Sequence, residues 1–458
     1  MLLEGLKSWV IKRRIKKTQK KLLQSDAEDI KRIIRNFDYS KLKIAANYKI
    51  CKTLRHAAAH SPFYKKKLKD QISDLNLRNA DKVLRKIPFF TSPDDLSNNP
   101  EEFLALPESA IVAHHFSAGT TGNRKKIYVS KKDLEMIFFS YSLGFLKMGL
   151  KPDDVAQIMY SFGIWQLGSL YEAAFQRIGV SCLPTGTHMP FSEQEHFMEE
   201  FNTSVIAGTP SYIYNFALET DLSDSAKDRM KTVLLGGEGV SRKMRRVIED
   251  RIGGEIFLGY GLMEFGGGIG TECEEHRGYH LYTNIYPEII DPKTGIPVEK
   301  EEYGELVLTS LDREAMPLVR YRTGDITRFI EGTCDCGLKL PMIDYLKGRL
   351  DDRVTIGTAE KYYPTFFEKL FDSLEEIQDF LIVVKRKNGK DSLTVEVFTE
   401  KPSEKLRKKI LGRLYDCNSI KLDIQQTKTM TEPRILFQKK TNEHSILKKK
   451  RIIDKREL

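Results

Sequence analysis

Five short apolar runs between residues 155 and 261 constrain the fold more than any other feature of the sequence. They are VAQIMYSF (155–162), VSCLP (180–184), SVIAGTP (204–210), TVLLGGEG (232–239) and EIFLGYG (255–261). A strand with one face in water alternates polar and apolar residues; continuous apolar runs belong to strands covered on both faces. Amphipathic stretches such as RKMRRVIEDRI (242–252) lie between several of them. The alternation predicts βαβ units and an α/β fold with a mostly parallel sheet.

The flanking regions read differently. PEIIDPKTGIPVE and GELVLTSL, within 286–330, carry turn signals at Pro292-Lys293-Thr294-Gly295 and Tyr303-Gly304. These predict an antiparallel subdomain. The last hundred or so residues mix strands (FLIVVKR, SLTVEVFT) with a helix (SEKLRKKILGRLYD), a small α+β module. The boundary is placed near KGRLDDRV, giving a large domain over 1–349 and a small one over 350–458. A helical extension over 1–70 opens the chain. Residues 1–35 read as one basic helix and 42–70 as a second, interrupted at Pro62.

A chain of 458 residues with 40% hydrophobic and 30% charged content fits a soluble globular protein. No apolar run reaches the roughly 18 residues of a membrane span, and the first residues do not read as a secretory signal. Six cysteines in so long a chain suit a reducing interior rather than a disulfide framework, so a cytoplasmic location is expected. The net charge of +10 gathers at the two ends, among residues 7–21 and 439–456. The reading favoured is a solvated helix face and a charged tail. No zinc-finger or RRM-type signature supports nucleic acid, which is not expected as a partner. A weak contact of the basic N-terminus with a membrane surface is retained.

The stretch HHFSAGTTGNRKK (114–126) is a candidate anion loop. It is not a Walker A motif, because Gly119 and Gly122 are followed by Asn123. Glycines still let the backbone approach a phosphate, and amides with Ser and Thr hydroxyls still donate to it. Downstream come GGEGV (236–240), YGLMEFG (260–266), RYRTGD (320–325), KGRLDD (347–352) and LKKKRIID (447–454), in that order. This ordered set resembles the adenylate-forming superfamily. It is most similar to the phenylacetate–CoA ligase branch, with HSPFY (60–64), TPSY (209–212), PEIIDP (287–292) and EAMPLVRYRTGD (314–325). The likeness runs from about residue 50 to the C-terminus.

The resemblance implies an acid–thiol ligase that joins a carboxylate to ATP as acyl-AMP and then passes the acyl group to a thiol, probably coenzyme A. It implies that Ser117, Gly119, Thr120, Thr121 and Gly122 hold phosphates, and that Gly236, Gly237 and Glu238 flank the adenine. Tyr260 stacks on the base, Glu264 holds Mg²⁺ and Asp325 accepts the ribose hydroxyls. Arg349 joins the ATP site, and Asp351 is a hinge about which a mobile small domain rotates. Lys448 is the adenylation lysine, counted with Glu264 and Thr120 as catalytic; three adjacent lysines leave its register open. Tyr160, Phe162 and Trp165 are candidates for the acyl pocket, with core packing as the alternative.

Cys334-Asp335-Cys336-Gly337 is a tight C-x-C-G turn, and two thiolates there can share one metal. Branch members with such a turn also carry an earlier Cys and Gly-x-His. That resemblance implies a closed structural Zn²⁺ site of Cys273, His280, Cys334 and Cys336, with His276 as a competing ligand. Two segments depart from the family pattern: IGTAEKYYP (356–364) after the hinge, and Thr283-Asn284 where relatives often carry an acidic pair. The first lies where the thiol access tunnel forms. A carrier protein or another acceptor, including nucleotidylation of a cofactor, therefore stands as the alternative second step. A non-enzymatic binding protein on a decayed scaffold is a third reading.

Overall fold

The basic N-terminal stretch forms two helices, α1 (Leu2–Leu23) and α2 (Ala27–Arg35), where one was expected over 1–35. Asp26 causes the break: its Oδ1 accepts from the Asp29 N–H at 2.8 Å, an N-terminal capping bond. Helix α3 (Tyr39–His60) is followed by α4 (Pro62–Leu68). Pro62 sits at the start of α4, where its missing N–H would have no intrahelical partner. The computed structural model describes residues 2–36, 39–117, 125–164, 166–352, 354–357, 360–387, 390–439 and 451–456.

Two short helices, α5 (Ala80–Lys86) and α6 (Pro93–Asn98), lead to an antiparallel pair, β1 (Ile111–Phe116) and β2 (Lys126–Ser130). Ser130 and Asp133 then form a capping box that starts α7 (Lys131–Lys147).

The alternation read from the sequence follows as β3 (Val155–Met159), α8 (Leu167–Arg177), β4 (Ser181–Leu183), α9 (Phe191–Glu200) and β5 (Val205–Gly208). It continues with α10 (Pro210–Glu219), α11 (Asp224–Arg229), β6 (Thr232–Gly236), α12 (Arg242–Ile252) and β7 (Glu255–Leu262). Strands β8 (Gly267–Thr271) and β9 (Tyr279–Leu281) turn back on β7. The antiparallel subdomain contains β10 (Ile285–Ile290), β11 (Gly304–Ser310) and β12 (Tyr321–Thr327), and β13 (Met342–Ile343) pairs with β9.

The eight-stranded sheet has the order β13-β9-β8-β7-β6-β5-β3-β4. Strands β4, β3, β5, β6 and β7 are parallel; β7, β8, β9 and β13 are antiparallel. Every residue of β5 and β6 is buried, which explains their unbroken apolar sequence. The fold class is the α/β class with an antiparallel subdomain and a smaller α+β part that the sequence predicts.

The chain divides into two compact units. One comprises Met1–Glu238, Ile248–Thr323 and Arg328–Tyr345; the other comprises Gly239–Val247, Gly324–Thr327 and Leu346–Leu458. The second contains β14 (Gly348–Arg349), β15 (Val354–Ile356), β16 (Glu360–Tyr362), α13 (Pro364–Phe371), β17 (Asp379–Lys387) and β18 (Lys390–Phe398). It ends with α14 (Glu404–Tyr415), α15 (Asn418–Gln425), β19 (Arg434–Gln438) and β20 (Ile452–Asp454). Its sheet has the order β19-β18-β17-β20. Leu393, Val395, Ile382, Leu406 and Ile410 are fully buried between sheet and helices. Each such side chain contributes about 1.5–3 kcal/mol by leaving water.

Candidate active site and metal centre

The ends of the candidate anion loop are tied together. The Ser117 N–H donates to the Lys125 carbonyl at 3.2 Å, and the Lys125 N–H donates to Ser117 Oγ at 3.3 Å. Gly119, Thr120, Thr121 and Gly122 lie outside the described residues. Lys125 then reaches across: its Nζ donates to Glu264 Oε1 at 2.8 Å. The Tyr321 hydroxyl donates to the same oxygen at 3.0 Å. Glu264 follows β7 in the short turn Met263–Phe265 and is only 5% exposed. Burial alone would raise its pKa; the Lys125 ammonium, its hydrogen bond and the Tyr321 hydroxyl outweigh that and hold it below the ordinary carboxylate value. A buried carboxylate is thus kept ionised by a lysine at the end of the candidate anion loop.

Sequence reading includes Lys125 only as part of the candidate anion stretch and gives Tyr321 no role. A signal for Tyr321 was present in RYRTGD. Strand alternation puts Tyr321 and Thr323 on the face opposite Arg320 and Arg322. Arg320 forms a buried ion pair with Glu288 of PEIIDP at 3.0 Å, and Arg322 Nε donates to Glu305 at 2.8 Å. The other face delivers Tyr321 to Glu264.

Other distant motifs meet by the same kind of bond. Tyr64 of HSPFY is fully buried; its hydroxyl is 2.7 Å from Thr91 Oγ1 and accepts from the Val319 N–H at 2.9 Å. Asp133 accepts from the Glu314 and Ala315 N–H groups at 2.7 and 3.1 Å, tying the start of α7 to EAMPLV.

At the sheet's C-terminal edge, Gly236 ends β6 and Gly237 has φ +89°, a conformation that favours glycine. The Glu238 carboxylate accepts from the Ser211 N–H at 3.1 Å, at the start of α10. Ligands of open α/β sheets bind at such strand ends. Tyr260, on β7, is 6% exposed and packs its ring 5.7 Å from that of Tyr279. Tyr160 is buried against Tyr171, ring centroids 4.8 Å apart, and its hydroxyl lies 3.2 Å from where a side chain on Gly236 would begin. Phe162 fills the space over Gly168, where a Cβ would come within 3.0 Å of its ring. Trp165 lies outside the described residues.

In the second unit Asp325 is 3% exposed and Arg349 faces it across the β12–β14 pairing, with Nε 3.4 Å from Oδ1. The backbone of Asp351 lies in a single turn, Leu350–Asp352. Lys448 lies outside the described residues.

Cys273, His280, Cys334 and Cys336 come together although the first and last are 63 positions apart in the chain. Their donor atoms all lie within 4.8 Å of one another and all four residues are buried. Cys273 Sγ is 3.6 Å from Cys334 Sγ, and Cys336 Sγ is 3.3 Å from His280 Nε2. A disulfide needs about 2.05 Å. Tetrahedral Zn²⁺ with Zn–S near 2.3 Å separates its sulfurs by about 3.8 Å. The C-x-C-G turn is closed by the Gly337 N–H donating to the Cys334 carbonyl at 2.8 Å, and the Leu338 N–H donates to Cys336 Sγ at 3.5 Å. Hydrogen bonding from Cys336, with His280 nearby, pulls the Cys273 thiol far below its ordinary pKa and pushes Cys336 up as the proton-holding partner. His276 is turned away: its Nε2 is 3.2 Å from Glu255 and its Nδ1 3.4 Å from Glu272. Of the two histidines left open by spacing, His280 joins the cluster.

A family model described as AMP-binding enzyme matches residues 24–311. The chain is 31% identical over 360 residues to a phenylacetate-coenzyme A ligase of Escherichia coli, covering 75% of this chain and 79% of the relative. A phenylacetate-coenzyme A ligase of Thermus thermophilus is 28% identical over 368 residues, covering 79% and 82%. Among solved structures, a 2-hydroxyisobutyryl-CoA ligase in the postadenylation state with 2-HIB-AMP superposes with TM-score 0.75 at 19% identity, over 90% of this chain and 89% of that one. An anthranilate CoA ligase with anthranoyl-AMP gives TM-score 0.56 at 17% identity, over 86% and 79%.

Proposed function

Because the chain belongs to the AMP-binding enzyme family, on its phenylacetate–CoA ligase branch, we propose that it is an AMP-forming acid–thiol ligase. The carboxylate of an aryl or acyl acid attacks the α-phosphorus of ATP, pyrophosphate leaves, and acyl-AMP remains. A thiol, coenzyme A in this reading, then attacks the acyl carbonyl and AMP leaves. The observation that carries the proposal is the convergence of Lys125, at the end of the candidate anion loop, and Tyr321 on the buried Glu264 carboxylate.

In this reading Ser117, Gly119, Thr120, Thr121 and Gly122 hold the triphosphate through main-chain and hydroxyl donors. Gly236, Gly237 and Glu238 border the adenine and Tyr260 stacks on it. Asp325 accepts the ribose hydroxyls with Arg349 beside it. Lys448 neutralises charge that develops on the α-phosphate. Asp351 is the hinge between half-reactions, and Tyr160, Phe162 and Trp165 border the acyl group. Glu264 would hold Mg²⁺ together with phosphate oxygens, and that hard dication would neutralise phosphate charge. Lys125 is then free to turn from the carboxylate toward the triphosphate.

Cys273, His280, Cys334 and Cys336 would hold Zn²⁺ as a closed structural set, a role supported by their soft donors, burial and spacing. The basic α1 also offers a surface contact with a membrane. A carrier protein or another acceptor is the second reading of the transfer step, favoured by the unusual IGTAEKYYP after the hinge. Release of AMP measured with coenzyme A present and absent separates the two. Strict dependence on coenzyme A supports the thiol ligase; AMP release that ignores it favours another acceptor.

A further inference from the structure

Helix α1 carries Lys7, Lys12, Arg13, Arg14, Lys16, Lys17, Lys20 and Lys21, with no acidic residue from position 5 to position 25. At about 100° per residue, Ile11, Ile15, Thr18 and Leu22 share one face. That face is packed: Leu22 lies in a core cluster with Ile30, Leu146 and Cys273. Gln19, at its margin, reaches Met136 of α7. The opposite face carries Trp9, Arg13, Lys16, Lys17 and Lys20, all exposed. Trp9 is 56% exposed, with the Arg13 guanidinium 5.4 Å from its ring centroid. Among the described residues no carboxylate pairs with any of the eight cations.

We infer that α1 docks the protein on an anionic lipid surface, with its row of cations against the headgroups and the Trp9 indole in the interfacial layer. Three features favour lipid. Trp9, Arg13, Lys16, Lys17 and Lys20 span about 17 Å along one side of a helix whose other side rests on the protein, which suits a plane. Nucleic-acid readers instead seat a helix in a groove or offer a stacking platform of several aromatics. An indole beside long cationic side chains matches the water–bilayer boundary, where Trp concentrates and Lys and Arg stems lie along apolar surface. With so little apolar area on the outer face, binding is mainly electrostatic and reversible.

The test uses the full chain carrying Trp165→Phe, which leaves Trp9 as the sole indole of the original two. Phosphatidylcholine vesicles with and without phosphatidylglycerol are titrated in, and cosedimentation and the Trp9 emission maximum are read. The expected result is binding and a blue shift with anionic vesicles only, both lost at high salt. Arg13→Glu, Lys16→Glu, Lys17→Glu and Lys20→Glu together should cut partitioning by at least about 100-fold, and Trp9→Ala by about 5-fold. Should the fourfold variant not fold, Lys16→Gln with Lys20→Gln should weaken binding in the same direction. Equal binding to both vesicle types, or binding untouched by the charge changes, overturns the inference. So does a Trp9 shift produced at lower concentration by duplex DNA or polyglutamate than by vesicles. The docking is independent of the ligase reading: pyrophosphate exchange by the unsubstituted chain, without vesicle binding in cosedimentation, sinks the docking alone.

Discussion

The carboxylate at Glu264 and the Cys273–His280–Cys334–Cys336 cluster are both buried polar sites of the large unit, built on opposite rules. Glu264 is 5% exposed and Cys334 is 4% exposed, so burial does not distinguish them. What differs is whether a partner can leave. Glu264 is held by Lys125, whose side chain is 15% exposed and sits at the end of the candidate anion loop, and in the proposed reaction that lysine changes partners. The cluster has four soft or borderline donors facing one another, and no position for substrate. A site that can exchange a partner is fit for chemistry; a site that is complete is fit for holding structure.

The sharpest way to break the contrast is to open the closed site. If the cluster holds the proposed Zn²⁺, Cys273→Ser should cost on the order of 5 kcal/mol or more of stability through metal loss, read as a lowered thermal midpoint with chelator-insensitive unfolding. Because Leu22 and Ile30 pack on the cluster, amide exchange in α1 and α2 should speed up first. Turnover per folded molecule should stay within about 3-fold of the parent; a folded but inactive metal-free protein would contradict the structural role.

The open site should behave in reverse. Glu264→Gln keeps the shape and removes the charge, and should slow adenylation by about 10²–10³-fold with a much smaller change in thermal midpoint. Tyr321→Phe removes one donor to that carboxylate and should cost about 10-fold in kcat/KM, matching a hydrogen bond to a charged group of about 1.5 kcal/mol. An unchanged rate would show that Tyr321 only fills space.

A separate expected effect is one of pH, and it reads stability rather than rate. His115, on β1 just before the anion loop, is 1% exposed; burial, then the Arg313 charge, depress its pKa to about 4 from 6.5. Its folded-state pKa is below the unfolded one, so the unfolded chain binds the extra proton between those values. Stability is therefore complete above pH 6.5 and falls as pH drops toward 4, by at most about 3 kcal/mol. Denaturant midpoints for the parent and His115→Gln should diverge in slope over that window, and a parallel pair of curves would exclude His115 as the cause.

Much of this organisation was legible in the residues. Continuous apolar runs mark β3, β5 and β6 because a strand covered on both faces needs no polar side. Two sulfurs of the thiol cluster were legible because a C-x-C-G turn brings them together whatever surrounds it; Cys273 and His280 came only from the family resemblance. The choice between His276 and His280 was not, since it depends on which way each ring points. His276 sits at φ +46° in a turn facing carboxylates, while His280 is held on β9. The Lys125–Glu264–Tyr321 meeting was also hidden: it joins positions 125, 264 and 321, and only the packed sheet sets their directions. The break at Asp26 was missed because an apolar pattern continues across it and a single side-chain cap decides the outcome.

Exchange of labelled pyrophosphate into ATP, driven by a panel of aryl and alkyl carboxylic acids, bears most directly on the acyl-AMP step. Exchange that requires an acid and divalent magnesium, and collapses in Glu264→Gln, is the predicted result. Folded protein that catalyses no exchange with any acid, or exchanges equally well without that carboxylate, would contradict it.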